Sequence, residues 1–246
     1  MKTMKETGFF IITAVICYSI ASASLSFSAE GDIKLPQPSI TSDVSIEKAL
    51  SERRSLRTYK NEPVTLNELS QLLWAGQGIT EPEKGFRTAP SGMATYVLNL
   101  YAITLDVSGV PQGAYRYEPK GHELILISKG DKREDMKNDR RPSGPSPGGS
   151  ADDSGTSATP ARIAGHADPI PSTPLIFVIT GDGSKARGSA SYYLEAGHAA
   201  QNIALQCVSL GMGGVTMAGF NADKLKDLLK MKDKDVPIYV MPVGKK

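Results

Sequence analysis

The twenty residues from Ser191 to Leu210 read as one long helix, nearly apolar around its whole circumference and stopped by Gly211. Glycine just past a helix end is a common stop, because it adopts the left-handed backbone without a side-chain clash. A helix with a single apolar stripe can lie on a sheet and show its other face to water. One that is apolar all round needs cover on every side. This helix must therefore be central, with the rest of the chain, or a second chain, packed around it.

The neighbouring segments supply the cover. Thr65-Leu-Asn-Glu68 is a capping box, in which hydroxyl and carboxylate satisfy each other's free backbone N–H groups. It opens a helix whose Leu66, Leu69, Leu72, Leu73 and Trp74 form an apolar face ending near Gly76 and Gly78. Ile46, Ala49, Leu50 and Arg53 fall at helical spacing and predict a helix over Ser45–Tyr59. Strands are predicted over Tyr96–Leu105, Ala114–Tyr117, Glu123–Ser128, Pro174–Thr180 and Val236–Val243, and a short helix over Ala222–Met231. Helices outside, strands between them and no strict βαβ alternation give an α+β sandwich with a mixed central sheet.

Two segments stand apart from that domain. Lys2 and Lys5 precede an apolar run from Gly8 to Tyr18, and small residues follow from Ser19 to Ser24. This is the pattern of a secretory signal peptide over 1–23, with Ala21-Ser-Ala23 as the cleavage match. The alternative is an uncleaved anchor, since Phe9–Phe27 just reaches bilayer length. Residues 24–43 are expected to form a flexible segment ahead of a single domain over 44–246. Within the domain, 139–160 has 13 Ser, Gly or Pro among its 22 residues and no Val, Ile, Leu, Met or aromatic side chain. Such a segment cannot bury enough apolar surface to offset its ordering entropy, so a disordered insertion is expected. Its Gly144-Pro-Ser-Pro-Gly148 is no nucleophile elbow, because prolines flank the serine on both sides.

Composition narrows the chemistry. A net charge of +2 offers no field to gather a phosphate backbone, so nucleic acid is not expected as a partner. Three histidines leave little room for a histidine metal cage, and no metal site is assigned. Arg53-Arg54-Ser55-Leu56-Arg57 places three guanidiniums and a hydroxyl where they could grip a phosphate. The plain alternative is a solvated basic helix end. Pro90-Ser91-Gly92 fixes a turn whose hydroxyl and amides could meet a heteroaromatic edge, or it is simply a loop before a strand. Gly211-Met-Gly213-Gly214 would let backbone approach a flat ligand closely. Lys245 is either a ligand contact or part of a frayed tail.

In this order, Arg53-Arg-Ser-x-Arg57, Ala89-Pro-Ser-Gly92, Gly113-Ala-Tyr-Arg-Tyr117, Glu195-Ala-Gly-His198-Ala-Ala-Gln-Asn202, Leu210-Gly-Met-Gly213 and Tyr239-Val-Met-Pro-Val-Gly244 resemble nitroreductase-like flavoproteins. The branch they look most like is that of the SagB-type, thiazoline-oxidase-like dehydrogenases. The resemblance implies an FMN-binding fold that dimerises through the long helix, with flavin sites at the subunit interface. It implies phosphate and ring-edge contacts from Arg53, Arg54, Ser55 and Arg57, a ring-side loop from Pro90, Ser91 and Gly92, a second approach from Gly213 and Gly214, and a phosphate contact from Lys245. Glu195 and His198, three apart on one helix, are expected to share a hydrogen bond. No catalytic side chain is assigned, because hydride chemistry belongs to the flavin. The expected activity is hydride transfer between a reduced donor, NAD(P)H or another, and a small electron-poor acceptor. Gly183-Ser-Lys-Ala-Arg187-Gly-Ser stands where thiazoline-forming relatives carry a Lys-Tyr pair, which argues against azoline oxidation. An exported flavin-fold protein that binds a ligand or partner without turnover is the alternative reading.

Overall fold

The computed structural model describes residues 31–136, 168–186 and 188–246. The expected signal peptide over 1–23 and insertion over 139–160 lie outside the described residues. In chain order the elements are β1 (Ile33–Lys34), α1 (Ile46–Glu52), β2 (Val64–Thr65), α2 (Leu66–Gln77), β3 (Ile79–Glu81), β4 (Phe86–Arg87), β5 (Leu98–Thr104), β6 (Val107–Ser108), β7 (Gly113–Glu118), β8 (Glu123–Lys129), α3 (Arg133–Met136), β9 (Leu175–Asp182), α4 (Ser189–Ser209), β10 (Met212–Gly214), α5 (Ala222–Leu228) and β11 (Asp235–Lys245).

Seven strands form the central sheet in the order β1-β8-β7-β5-β9-β11-β10, every neighbouring pair antiparallel. Parallel pairing occurs in the separate β2–β6 ladder and at the Ser55–Gly214 bridge on the sheet's edge. The run Leu175–Ile179 shows why the sheet sits in the middle of the molecule. Leu175, Phe177 and Ile179 join the core beneath α2 and α4, while Ile176 and Val178 join the core beneath α3 and α5. Side chains alternate between faces at period two, so an unbroken apolar run is what a strand covered on both faces requires.

The central helix has the place its composition demands. Tyr192, Ala196, Ala199, Ala200, Ile203 and Cys207 are buried along one side of α4, facing the sheet and α2. Its other side is not covered by the described residues: Leu194 is 65% exposed, and His198 and Gln201 are exposed too. The capping box at α2 forms as predicted, with the Thr65 Oγ1 accepting from the Glu68 N–H and the Glu68 carboxylate accepting from the Thr65 N–H.

Two expectations need correction. The first helix ends at Glu52, not Tyr59. Backbone N–H groups beyond it are captured by the sheet edge instead: Leu56 donates to the Gly214 carbonyl at 3.0 Å and Lys60 to the Lys245 carbonyl at 3.2 Å. Of the residues at helical spacing, Ala49 is buried, while Ile46 and Leu50 are more than half exposed. The segment before the domain is also no loose tail where it is described. Ile33 and Lys34 pair with β8, Leu35 is buried, and the Gln71 side chain holds both backbone groups of Ser39. The Ser42 and Ser209 hydroxyls meet at 2.7 Å, tying the same strap to α4.

Candidate functional site

The arginine segment follows directly from the end of α1. Arg53 is the C-cap, its N–H donating to the Ala49 carbonyl. Arg54 turns back, and its Nη1 donates to the carbonyls of Ser51 and Arg53 at 2.9 and 2.8 Å. Those are the unsatisfied carbonyls of a helix end, so Arg54 plays the helix-capping part. Arg53 and Arg57 form no ion pair with any carboxylate among the described residues.

Ser55 then bridges Gly214, which brings the segment against β10 and the end of β11. Three strands of chain meet here with no room for a side chain on the glycines between them. A Cβ on Gly213 would lie 2.9 Å from Leu56 Cδ2, and one on Gly214 would lie 2.7 Å from the Pro242 carbonyl oxygen. A Cβ on Gly244 would lie 2.8 Å from Tyr59. The glycines expected to admit a ligand are thus already needed for the close approach of β10, β11 and residues 55–59. Tyr59 locks the arrangement, its buried hydroxyl 2.9 Å from both the Leu56 and Pro242 carbonyls. Burial raises the Tyr59 pKa well above its usual value, which keeps that hydroxyl a donor.

Lys245 is neither frayed nor free. It closes β11, pairs in register with Met212, and its Nζ is bound to the Glu68 carboxylate. Burial works against the charge on Glu68, but bonds from Lys245 and from the Thr65 N–H and hydroxyl outweigh it and hold the carboxyl below its ordinary value. One carboxylate therefore caps α2 and fixes the last lysine of the sheet.

Seven of the ten predicted residues, Arg53, Arg54, Ser55, Arg57, Gly213, Gly214 and Lys245, lie in this one meeting of chain segments. The other three, Pro90, Ser91 and Gly92, lie in the loop between β4 and β5, which is anchored on α4. Ser91 Oγ donates to Glu195 Oε1 at 2.7 Å and accepts from the Tyr96 N–H at 2.8 Å. The Gly92 N–H points to the same carboxylate oxygen at 3.3 Å. Met93, Ala94 and Tyr96 all have positive φ, between 45° and 55°. Left-handed backbone costs about 1–3 kcal/mol per non-glycine residue and persists only where surrounding structure enforces it. Here the enforcement comes from Glu195, a residue 4% exposed.

Sequence reading paired Glu195 with His198. The structure separates them: Glu195 reaches across to Ser91, and His198 faces outward. Arg87 completes the cluster, donating to Gln77 Oε1 at 2.8 Å, with its guanidinium 4.6 Å above the Tyr96 ring. Burial lowers the Arg87 pKa, and the charge of Glu195 is among the groups that act back against that. Beside these elements the strap 37–46, α1, α2 and α4 enclose an open cleft of about 870 Å³, lined by residues including Gln71, Trp74, Asn202 and Gln206.

The nitroreductase family profile matches residues 50–245, which includes all ten predicted site residues and Glu195, while the strap 37–46 precedes it. The chain belongs to the nitroreductase family. It is 32% identical over 221 residues to "Putative nitroreductase MJ1384" of Methanocaldococcus jannaschii, covering 87% of this chain and 96% of that protein. Among solved structures, a "putative nitroreductase" from Ralstonia eutropha aligns with TM-score 0.68 and 26% identity over 87% of this chain and 89% of that one. A "putative nitroreductase in complex with FMN" from Desulfovibrio desulfuricans aligns with TM-score 0.52 and 17% identity over 81% and 84% of the two chains. The fold is accordingly nitroreductase-like, with an antiparallel central sheet flanked by helices.

Proposed function

We propose that this nitroreductase-family chain is an FMN-dependent oxidoreductase that moves hydride between a reduced donor and a small electron-poor acceptor. The observation that carries the reading is the meeting of Arg53–Arg57 with β10 and the end of β11, where Arg53 and Arg57 have no carboxylate partner among the described residues. Guanidiniums left unpaired beside a set of closely packed backbones fit a phosphate monoester, whose oxygens match paired N–H donors. The FMN named for the Desulfovibrio relative is the phosphate-bearing group that suits this set.

In this reading Arg53 and Arg57 bind the phosphate, and Ser55 meets the adjoining chain. Lys245, paired with Glu68, stands at the edge of this set as a further N–H donor without an extra buried, unpaired cation. Pro90, Ser91 and Gly92 shape the ring side. Bound FMN supplies the hydride-transferring centre itself. The chain binds it, orients it and excludes water.

The uncovered side of α4, with Leu194 65% exposed, supports a homodimer through that helix. Within the family, the order of the motifs favours the SagB-type branch. Azoline oxidation is not its reaction in our reading, because the expected Lys-Tyr position holds Gly183 and Ser184, with Ser184 bonded to Asp182. The leader over 1–23 supports work outside the cytoplasm, where the electron donor need not be a nicotinamide.

The test is an absorbance spectrum of the purified protein, chromatography of any released cofactor, and anaerobic mixing of the dithionite-reduced form with a quinone and a nitroaromatic. A flavin spectrum, released FMN and reoxidation by either acceptor are expected. A colourless protein that fails to take up added FMN would defeat the reading. Bound FMN with silence toward every acceptor would favour ligand binding without turnover.

A further inference from the structure

Resting on the FMN reading above, we propose that Glu195 is a positioning residue that makes the Ser91 hydroxyl, in the Pro90–Gly92 loop, an acceptor of a hydrogen bond from the flavin ring rather than a donor. A serine hydroxyl has one proton and two acceptor lone pairs. The proton of Ser91 goes to Glu195 Oε1 at 2.7 Å, and one lone pair takes the Tyr96 N–H at 2.8 Å. Thr95 Oγ1, 3.5 Å away, gives its own proton to the Gly92 carbonyl.

Among the loop's amides, Gly92 donates to Glu195, Ala94 to the Ser91 carbonyl and Thr95 to the Gly92 carbonyl, Pro90 has no N–H to give, and the Ser91 N–H has no hydrogen-bond partner among the described residues. What the Ser91 side chain can still offer a ring is the second lone pair of its hydroxyl. Donation to a carboxylate pushes electron density onto that oxygen and makes it a better acceptor. The surface around it is apolar, formed by the exposed Pro90 and by Met93, which is 76% exposed. A flavin ring meets such a surface well, since its faces are apolar and its pyrimidine edge carries one N–H donor between two carbonyls.

Geometry also shows why the carboxylate has to be there. Glu195 comes from the middle of α4 and crosses to a loop 104 residues earlier in the chain, where it accepts two bonds on one oxygen. Without it, Ser91 regains a free proton and the left-handed residues Met93, Ala94 and Tyr96 lose their anchor. Arg87 faces Glu195 electrostatically from β4, so the cluster keeps a balancing charge.

The experiment measures FMN affinity of the full mature protein and its Glu195→Ala, Glu195→Gln, Ser91→Ala and Ser91→Ala/Glu195→Ala variants. Amide exchange at Gly92 and Tyr96 is followed in each FMN-free form. Glu195→Ala and Ser91→Ala should each weaken FMN roughly tenfold, the size expected for losing a charge-assisted bond. The double variant should be no worse than about either single one, because both changes break the same link. Glu195→Gln should stay within about threefold of the parent, since its amide oxygen accepts the same two bonds. The visible band shape of bound FMN should change in Glu195→Ala and return in Glu195→Gln, a signature that a remote packing role would not give.

Parent-like affinity in Glu195→Ala would overturn the proposal, and so would additive losses in the double variant. Glu195→Gln as weak as Glu195→Ala would show that charge, not acceptance, is what matters. If the parent protein binds no FMN at all, the functional reading fails on its own. The clamp is then judged separately, by whether the Gly92 and Tyr96 amides exchange faster in Glu195→Ala.

Discussion

Leu56 and Gly214 are joined by a 3.0 Å backbone hydrogen bond, and the Leu56 side chain fills the space above Gly213 where a methyl group would sit. The arginine segment is thus positioned by glycines about 160 residues further along the chain. Replacing either glycine by alanine should push that segment outward, but not equally. A Cβ at 213 meets a leucine side chain at 2.9 Å, which can shift, whereas one at 214 meets the Pro242 carbonyl at 2.7 Å, which cannot. Overpacking of this kind costs about 1–3 kcal/mol. Gly214→Ala should fall at the upper end in urea unfolding and Gly213→Ala at the lower, with FMN affinity reduced in both. Equal stability of the two variants would contradict the ordering.

Neighbouring arginines should separate into two functions. Arg54 caps α1 through the Ser51 and Arg53 carbonyls, while Arg53 is left for the phosphate. Arg53→Ala should weaken FMN by roughly 10- to 150-fold, from about 1.5–3 kcal/mol for a charged hydrogen bond, with the melting temperature of the FMN-free protein unchanged. Arg54→Ala should instead lower stability by about 1 kcal/mol and leave FMN within a few-fold. Fluorescence titration and thermal melts on the same samples check both, and a large affinity loss in Arg54→Ala would reverse the assignment.

Local rules reached far into this fold. The capping box fixed the start of α2, and the apolar run at Leu175–Ile179 marked a strand buried on both faces. What escaped were features decided by distant partners. Nothing in Ile46–Arg53 says that the helix must stop at Glu52, because the competing hydrogen bonds come from Gly214 and Lys245. Met212–Gly214 has no strand propensity, yet it pairs with β11 through register alone. The strap around Leu35 and Ser39 is short of apolar residues and is held by side chains of α2. Glu195 did carry a signal. It is the one carboxylate in α4, and a lone acid in an apolar helix has to find a partner somewhere.

A pH dependence should arise at the strap. His122 has its Nδ1 2.8 Å from the Tyr117 hydroxyl and its Nε2 2.8 Å from both the Pro36 carbonyl and Ser70 Oγ. Burial lowers its pKa from 6.5, with the nearby Lys34 adding to that and the Pro36 bond opposing it. The unfolded chain therefore binds the proton more readily than the folded one. Stability contributed by this group is fully present above pH 6.5 and is lost as the pH falls through 6.5 and on through the folded value. His122 also has φ of +46°, a conformation that asparagine tolerates. His122→Asn should flatten the pH dependence of the urea midpoint below pH 6.5, relative to the parent. Parallel profiles for the two proteins would assign the acid sensitivity elsewhere.

The last prediction concerns the open side of α4. Leu194 is 65% exposed, so its substitution removes little packing within one chain. In a two-fold dimer through this helix it would be buried, and a glutamate there would meet its own copy or lose its water. Like charges brought together across an interface cost several kcal/mol, enough to shift dimer dissociation by roughly 100-fold or more. Leu194→Glu should therefore be monomeric at micromolar concentration by light scattering, while its circular dichroism and FMN-free melting temperature stay near those of the parent. Leu194→Ala should remain dimeric and serves as the control. Flavin retention should fall with the mass in Leu194→Glu alone if the sites are completed by the second subunit. A dimeric Leu194→Glu would place the interface on another face, with the cleft between the strap, α1, α2 and α4 next to be mutated.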